Sequence, residues 1–174
     1  MDTSEFELSR FEFVNPVVDI LKEQECLVSH YSQLEKSDVE KADRIIICGT
    51  ALKDNKFIED IDMFDWIRDF EKPILGICAG FEIIALIFGS KLEKGKELGV
   101  IDVDFESNKL FESLRLQRVY ALHQNTVDMP KNFLTIAKSS EYLQGIKHKN
   151  KKIYGLGFHP EVLNQEIIRN FSNI

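Results

Sequence analysis

The stretch from Pro73 to Gly89, PILGICAGFEIIALIFG, carries one charged residue, Glu82, and constrains the fold more than any other part of the chain. "PILGI" has the length and apolar content of a strand buried on both faces. "FEIIALIF" reads as a buried helix. Only Cys-Ala-Gly separates them, so the chain must turn a sharp corner from an inner strand into a packed helix. A second run, "RIIICG" from Arg44 to Gly49, is continuous and β-branched, and reads as another strand covered on both sides. Two such strands require layers of helix on either face.

The flanking segments supply them. "FVNPVVDILKEQ" is apolar at helical spacing, with Asn15 placed to cap the helix and Pro16 at its first position. "FIEDIDMFDWIRDF" places Phe57, Ile61, Phe64, Ile67 and Phe70 on one helical face. "ECLVSHY" is read as a short strand. Beyond Ser90 the texture changes: "LGVIDVDFE", "QRVYALHQ", "FLTIAKS", "GIKHK" and "KKIYGLGF" are short strands between turns, and "QEIIRNF" is a terminal helix. The expected fold is α/β: a central, mostly parallel sheet flanked by helices, with an added antiparallel portion, in one domain over residues 1–174. In such sheets ligands sit at the carboxyl ends of the strands. Two such ends stand out, Gly49-Thr50 and the Cys78 corner.

Bulk properties narrow the function. A net charge of -7 and a pI of about 5.2 argue against nucleic acid or an anionic membrane as the main partner. No apolar run reaches the roughly 18 residues needed to span a bilayer. The acidic start "MDTSEFELSR" lacks the pattern of a signal peptide, so a cytoplasmic location is expected. Cys26, Cys48 and Cys78 are widely spaced, without a CxxC pair, and predict neither a zinc site nor a redox pair. Cys26 and Cys48 read as small buried hydrophobes. His30 and His148 are given no role; His148 sits in a lysine-rich turn and is expected to be solvated.

Cys78 is different because of its corner. A strand that becomes a helix at once forces its corner residue into a strained backbone conformation, and small neighbours such as Gly76 and Gly80 let the turn close. The side chain then stands at a helix N-terminus, where an anion is favoured. A thiol there, near a histidine, is a candidate nucleophile. The backbone N–H that follows it, on Ala79, points where an oxyanion would form. "GLGFHPEV" supplies the partners. His159 follows a strand and can take the thiol proton. Glu161 can reach the other ring nitrogen and fix the tautomer.

With these residues in place, the chain resembles the class I (triad-type) glutamine amidotransferases, and among them the separate glutaminase subunits of archaeal-type GMP synthases. "PILGICAGFEIIALIFGSKL" is similar to that family's elbow, helix and hairpin. "KGKELGVIDVDF" resembles a segment with Glu-x-Gly before a strand. "LFESL", then "VYALHQNTVDMPKNFLTIAKSS", resembles the section with His-x-Asp-x-Val. "KKIYGLGFHPEV" resembles its Phe-His-Pro-Glu region. The resemblance implies Cys78 as nucleophile, His159 as general base and then acid, and Glu161 as the orienting carboxylate. It also implies Ala79 and Thr50 N–H groups as oxyanion donors, with Gly49 in the same loop, Glu82 as a substrate contact, and His123 as a contact or signalling residue near a synthetase interface. The implied reaction is hydrolysis of L-glutamine through a γ-glutamyl thioester, with ammonia passed to an ATP-dependent synthetase of the ATP-pyrophosphatase type. It needs no cofactor or metal, and the chain contains no phosphate-binding loop motif.

Four departures from the family pattern fall outside the triad. Glu82 stands where glutamine is usual, and a carboxylate cannot donate a hydrogen bond. Gly49-Thr50-Ala51 replaces Gly-Gly-Pro. Gly157 replaces the glutamine before Phe-His-Pro-Glu. Asp2 resembles the aspartate that ends the family's first strand, with almost nothing upstream to form that strand. Two other functions fit these changes: a hydrolase of γ-glutamyl amides or peptides that needs no partner, and a catalytically impaired relative that binds and regulates a synthetase.

Overall fold

The computed structural model describes residues 1–111 and 116–174, at Leu116 the backbone only. The motif "LFESL", at 110–114, therefore lies partly outside the described residues. In chain order the elements are α1 (Arg10–Phe13), α2 (Asn15–Ile20), α3 (Lys36–Lys41), β1 (Ile45–Ile47), α4 (Lys56–Glu59), β2 (Ile74–Ile77), α5 (Ala79–Ile87), β3 (Leu92–Phe105), β4 (Leu116–Val127), β5 (Phe133–Lys138), β6 (Leu143–His148), β7 (Ile153–Leu156) and α6 (Gln165–Phe171), with short 3-10 turns between.

Among the described residues the strands form one mixed sheet of seven, ordered β1-β2-β7-β6-β5-β3-β4. β1, β2 and β7 are mutually parallel; every later pairing is antiparallel. Alternation along β2 explains the two layers. Leu75 and Ile77 face α2 and α6, with Val17, Ile167, Ile168 and Phe171. Ile74 faces α5 and the segment carrying Phe57, Phe64 and Ile67. Gly76 shares that second face because α5 runs almost against the strand. A Cβ at Gly76 would lie 2.3 Å from the Gly80 carbonyl oxygen, and one at Gly80 would lie 2.2 Å from the Ile47 oxygen.

Several expectations need correction. "ECLVSHY" is not a strand. It makes one isolated parallel bridge, Asp2 with His30, in which Asp2 N–H donates to Ser29 O and Tyr31 N–H to Asp2 O. Met1 completes the link to β1, its amino group donating to Ile46 O and its carbonyl accepting from Cys48 N–H. Met1 and Asp2 thus form a two-residue splice between β1 and Ser29–Tyr31, and "SEFELSRFEF" coils into a 3-10 turn and α1. Asn15 is the first residue of α2, not its side-chain cap. The amphipathic Phe57–Phe70 segment buries its aromatic face as expected, but through α4 and a 3-10 turn, Ile61–Arg68. Cys26 is exposed, whereas Cys48 is buried. His148 is buried, not solvated: its Nδ1 accepts from the N–H groups of Asn150 and Lys151 and its ring packs edge-on against Phe133.

Candidate active site

Because β1, β2 and β7 are parallel, their carboxyl ends lie on one edge, and each delivers one part of the site. β2 ends at Cys78, which has φ 49° and ψ −103°. That region suits glycine and strains other residues, so the corner holds the thiol at a cost of order 1–3 kcal/mol. The compensation is packing: Cys78 N–H donates to Leu156 O on β7 at 2.8 Å, and α5 is almost wholly buried behind it.

β7 leads into His159, whose N–H donates to Tyr120 O at 2.8 Å. The residue is 1% exposed, and Nδ1 pairs with Glu161 Oε1 at 2.7 Å. The carboxylate therefore fixes the proton on Nδ1 and leaves Nε2 facing inward without a hydrogen-bond partner among the described residues. Burial pulls the His159 pKa down, but the Cys78 sulfur and then Glu161 outweigh it, and the value rises well above 6.5.

Two residues past the end of β1 stands Gly49, where a Cβ would lie 3.0 Å from His159 Cε1 and 3.3 Å from Cys78 Cβ. Only glycine fits between these two side chains without displacing one. Thr50 is buried, and its hydroxyl donates to Asp54 Oδ2 at 2.6 Å. Its φ is not positive, so the loop adopts no glycine-only turn here. Among the described residues neither Thr50 N–H nor Ala79 N–H has a backbone acceptor, and both residues line a small pocket with Cys78, Glu82, His123 and Asn125.

The other wall comes from β4, which reaches over these strand ends. Leu122 O accepts from Cys78 Sγ at 3.5 Å. His123 lies within a strand and is buried. Its Nδ1 donates to Gly95 O at 3.0 Å, and its Nε2 accepts from Gln144 Nε2 at 3.0 Å. Gln144 also donates to Glu97 Oε2 at 2.6 Å. Glu82 points into the pocket. Burial pushes its carboxyl from 4.5 up to about 7, while Asn125 and the Lys94 ammonium oppose the shift.

The structure thus brings Cys78, His159, Glu161, Gly49, Thr50, Ala79, Glu82 and His123 to one place. The sequence reading missed Gln144, and it quoted the motifs that contain Glu97 and Asn125 without giving either residue a role. Gln144 gave no local signal, but the space beside Gly157 could have done so: a Cβ there would lie 2.9 Å from Gln144 Oε1. The glutamine missing at position 157 is matched by one arriving from β6.

Known proteins share this architecture. A relative named as a subunit of glutamine-hydrolyzing GMP synthase, from Pyrococcus abyssi, is 36% identical over 129 residues, covering 68% of this chain and 65% of that protein. One of the same name from Methanosarcina barkeri is 30% identical over 158 residues, covering 85% and 82%. A crystal structure from Thermoplasma acidophilum, provisionally assigned as a GMP synthase subunit protein, superimposes with a TM-score of 0.83 at 26% identity, covering 99% of this chain and 92% of the other. The family described as Glutamine amidotransferase class-I matches residues 13–171, and the chain belongs to that family.

Proposed function

We propose that this chain is a glutaminase subunit that hydrolyses L-glutamine and hands the ammonia to an ATP-dependent synthetase of the GMP synthase kind. The observation that carries the reading is the joint placement of Cys78 on its strained corner, His159 behind it, and Glu161 at 2.7 Å from His159 Nδ1.

The chemistry follows from that geometry. The Cys78 thiolate attacks the side-chain amide carbon of glutamine, and the carbonyl oxygen becomes an oxyanion. Ala79 N–H and Thr50 N–H are free to receive it; one such donor is worth on the order of 10²–10³ in rate. The tetrahedral intermediate collapses as His159 Nε2 protonates the amide nitrogen, which leaves as ammonia. Water then attacks the thioester carbon and His159 takes its proton. The Cys78 thiolate departs and glutamate is released. Glu161 keeps Nε2, and not Nδ1, turned to the reaction throughout.

Intact-protein mass spectrometry after exposure to a diazo-ketone analogue of glutamine tests this, alone and with a candidate synthetase. A single adduct at Cys78, blocked by glutamine and lost in Cys78→Ala, is expected. Absence of the adduct in both settings, with iodoacetamide still alkylating Cys78, overturns the reading.

A further inference from the structure

The loop Cys48-Gly49-Thr50 carries Thr50 N–H on a peptide that the sheet no longer holds. β1 pairs with β2 only as far as Ile47. Gly49 has no side chain to restrict its rotation, so the plane of the Gly49–Thr50 peptide is set by what grips the residues on either side. Two buried hydroxyls supply that grip. Upstream, Thr3 Oγ1 donates to Cys48 O at 3.0 Å. Downstream, the hydroxyl of Thr50 itself donates to Asp54 Oδ2 at 2.6 Å.

Asp54 is buried, and among the described residues it forms no ion pair. Three neutral donors take its oxygens instead. The Thr50 hydroxyl and Glu5 N–H, the latter at 2.7 Å, meet Oδ2, and Lys56 N–H meets Oδ1 at 3.2 Å. Acceptance on both oxygens requires a carboxylate, because asparagine would turn its NH2 group toward one of these donors. Capping the start of α4 at Lys56 would need one acceptor only. Burying an acid without a cation is costly, and hydrogen bonds to an ionised acceptor are the strong ones. Asp54 therefore spends a charge on holding Thr50 and the segment at Glu5, and it lines the same pocket as Thr50, Cys78 and Ala79.

We propose that Asp54 is the positioning residue of the oxyanion site: through the Thr50 hydroxyl it fixes the Gly49–Thr50 peptide with its N–H toward the reacting carbonyl. The inference rests on the glutaminase reading and adds to it a residue that never touches substrate. Such a residue acts on the transition state alone, so its loss should lower kcat and leave substrate binding in place.

The test measures kcat and KM for glutamine, the inactivation constant KI of the diazo-ketone, and the rate at which iodoacetamide alkylates Cys78, read by peptide mass spectrometry. Alkylation needs a reactive, accessible thiol but forms no oxyanion, so it reports on the integrity of the corner. Wild type, Asp54→Asn, Thr50→Val, Thr50→Ser and the double variant Asp54→Asn/Thr50→Val are compared, with any synthetase that wild type requires. Asp54→Asn and Thr50→Val should each lower kcat about tenfold to a hundredfold, less than the loss of a whole donor. KM, KI and the alkylation rate should stay within about threefold. Thr50→Ser keeps the hydroxyl and should retain kcat within about threefold. The double variant should be no slower than the slower single, because both changes break one link.

An unchanged kcat in Thr50→Val overturns the proposal, and that variant decides the matter even where Asp54→Asn does not fold. A fall in kcat matched by an equal fall in alkylation also overturns it, since Asp54 then supports the corner as a whole. Losses that multiply in the double variant overturn the route through Thr50. A wild type that neither labels nor turns over glutamine overturns the glutaminase reading, and this proposal with it. Failure of the Asp54 link alone leaves wild-type labelling intact.

Discussion

The three parallel strands and the antiparallel hairpin β3–β4 meet at the same pocket but are built by different means. β1, β2 and β7 contribute through backbone geometry: each side chain stands just past a strand end whose position the ladder dictates, and glycines allow approach to within contact of other backbone. The hairpin contributes through side chains. Leu122 lends a carbonyl, but His123 and Glu97 are tied together through Gln144 of β6 by hydrogen bonds, and Asn125 is held by Lys94. Backbone-built parts tolerate almost no change in shape. Side-chain-built parts can exchange members if the chemistry is conserved.

The largest expected effect falls on the corner. Cys78→Gly should abolish labelling and any glutamine hydrolysis, a loss of at least about 10⁴ in turnover. It should also raise stability in chemical denaturation by about 1 kcal/mol, since glycine occupies φ 49°, ψ −103° freely. Asn132, in the antiparallel half, has φ 65°, a conformation asparagine accepts readily. Asn132→Gly should gain little. Equal gains at both positions would mean that the corner stores no special strain.

Next comes Gly80→Ala. The added methyl would meet the Ile47 oxygen at 2.2 Å and its carbon at 2.9 Å, and neither atom can move without shifting β1. A cost above about 3 kcal/mol, read as a lowered denaturation midpoint, is expected. A small cost would show that α5 can slide on the sheet, and that the parallel half is less rigid than its geometry implies.

Glu82 probes the seam between the two regions, and its sign is informative. A carboxyl raised from 4.5 to about 7 on folding binds its proton more tightly in the folded state. It leaves stability untouched below about pH 4.5, lowers it progressively as pH rises through about 7, and costs roughly 3 kcal/mol above that. Glu82→Gln should therefore match wild type at about pH 4 and exceed it by up to about 3 kcal/mol at about pH 8, while binding substrate less well. A stabilising effect that persists unchanged in acid would mean packing, not charge, is responsible.

The same division decides what could be read from the sequence. The strand "ILGI", its corner and α5 were legible because burial on both faces, small residues and a cysteine between them leave their mark on consecutive positions. The pairing of His159 with Glu161 was legible for the same reason, since the two lie two residues apart. The splice of Met1 and Asp2 onto β1 was not, because a single bridge has no periodicity. Asn125 meets Glu82, and Gln144 meets the space beside Gly157, only through the pairing of distant strands and helices, and such contacts leave no local pattern. His148 misled because its lysine-rich turn looks solvated, while its ring reaches back onto Phe133.

The smallest effect tests this division at one atom. Gly157 lies at the end of β7, yet what limits it belongs to the antiparallel half. A Cβ at 157 would meet Gln144 Oε1 at 2.9 Å, the free end of a flexible side chain and a buried oxygen without a hydrogen-bond partner among the described residues. Gln144 can yield by a few tenths of an ångström, so Gly157→Ala should cost no more than about 1 kcal/mol. Pushing Gln144 aside also loosens its bond to His123 Nε2, and the imidazole resonances of His123, followed by NMR, should shift even though the fold holds. A penalty comparable to that of Gly80→Ala, with His123 undisturbed, would mean that the backbone of β7 is as confined as that of β2. The glutamine from β6 would then be a consequence of the missing side chain at 157 and not a replacement for it.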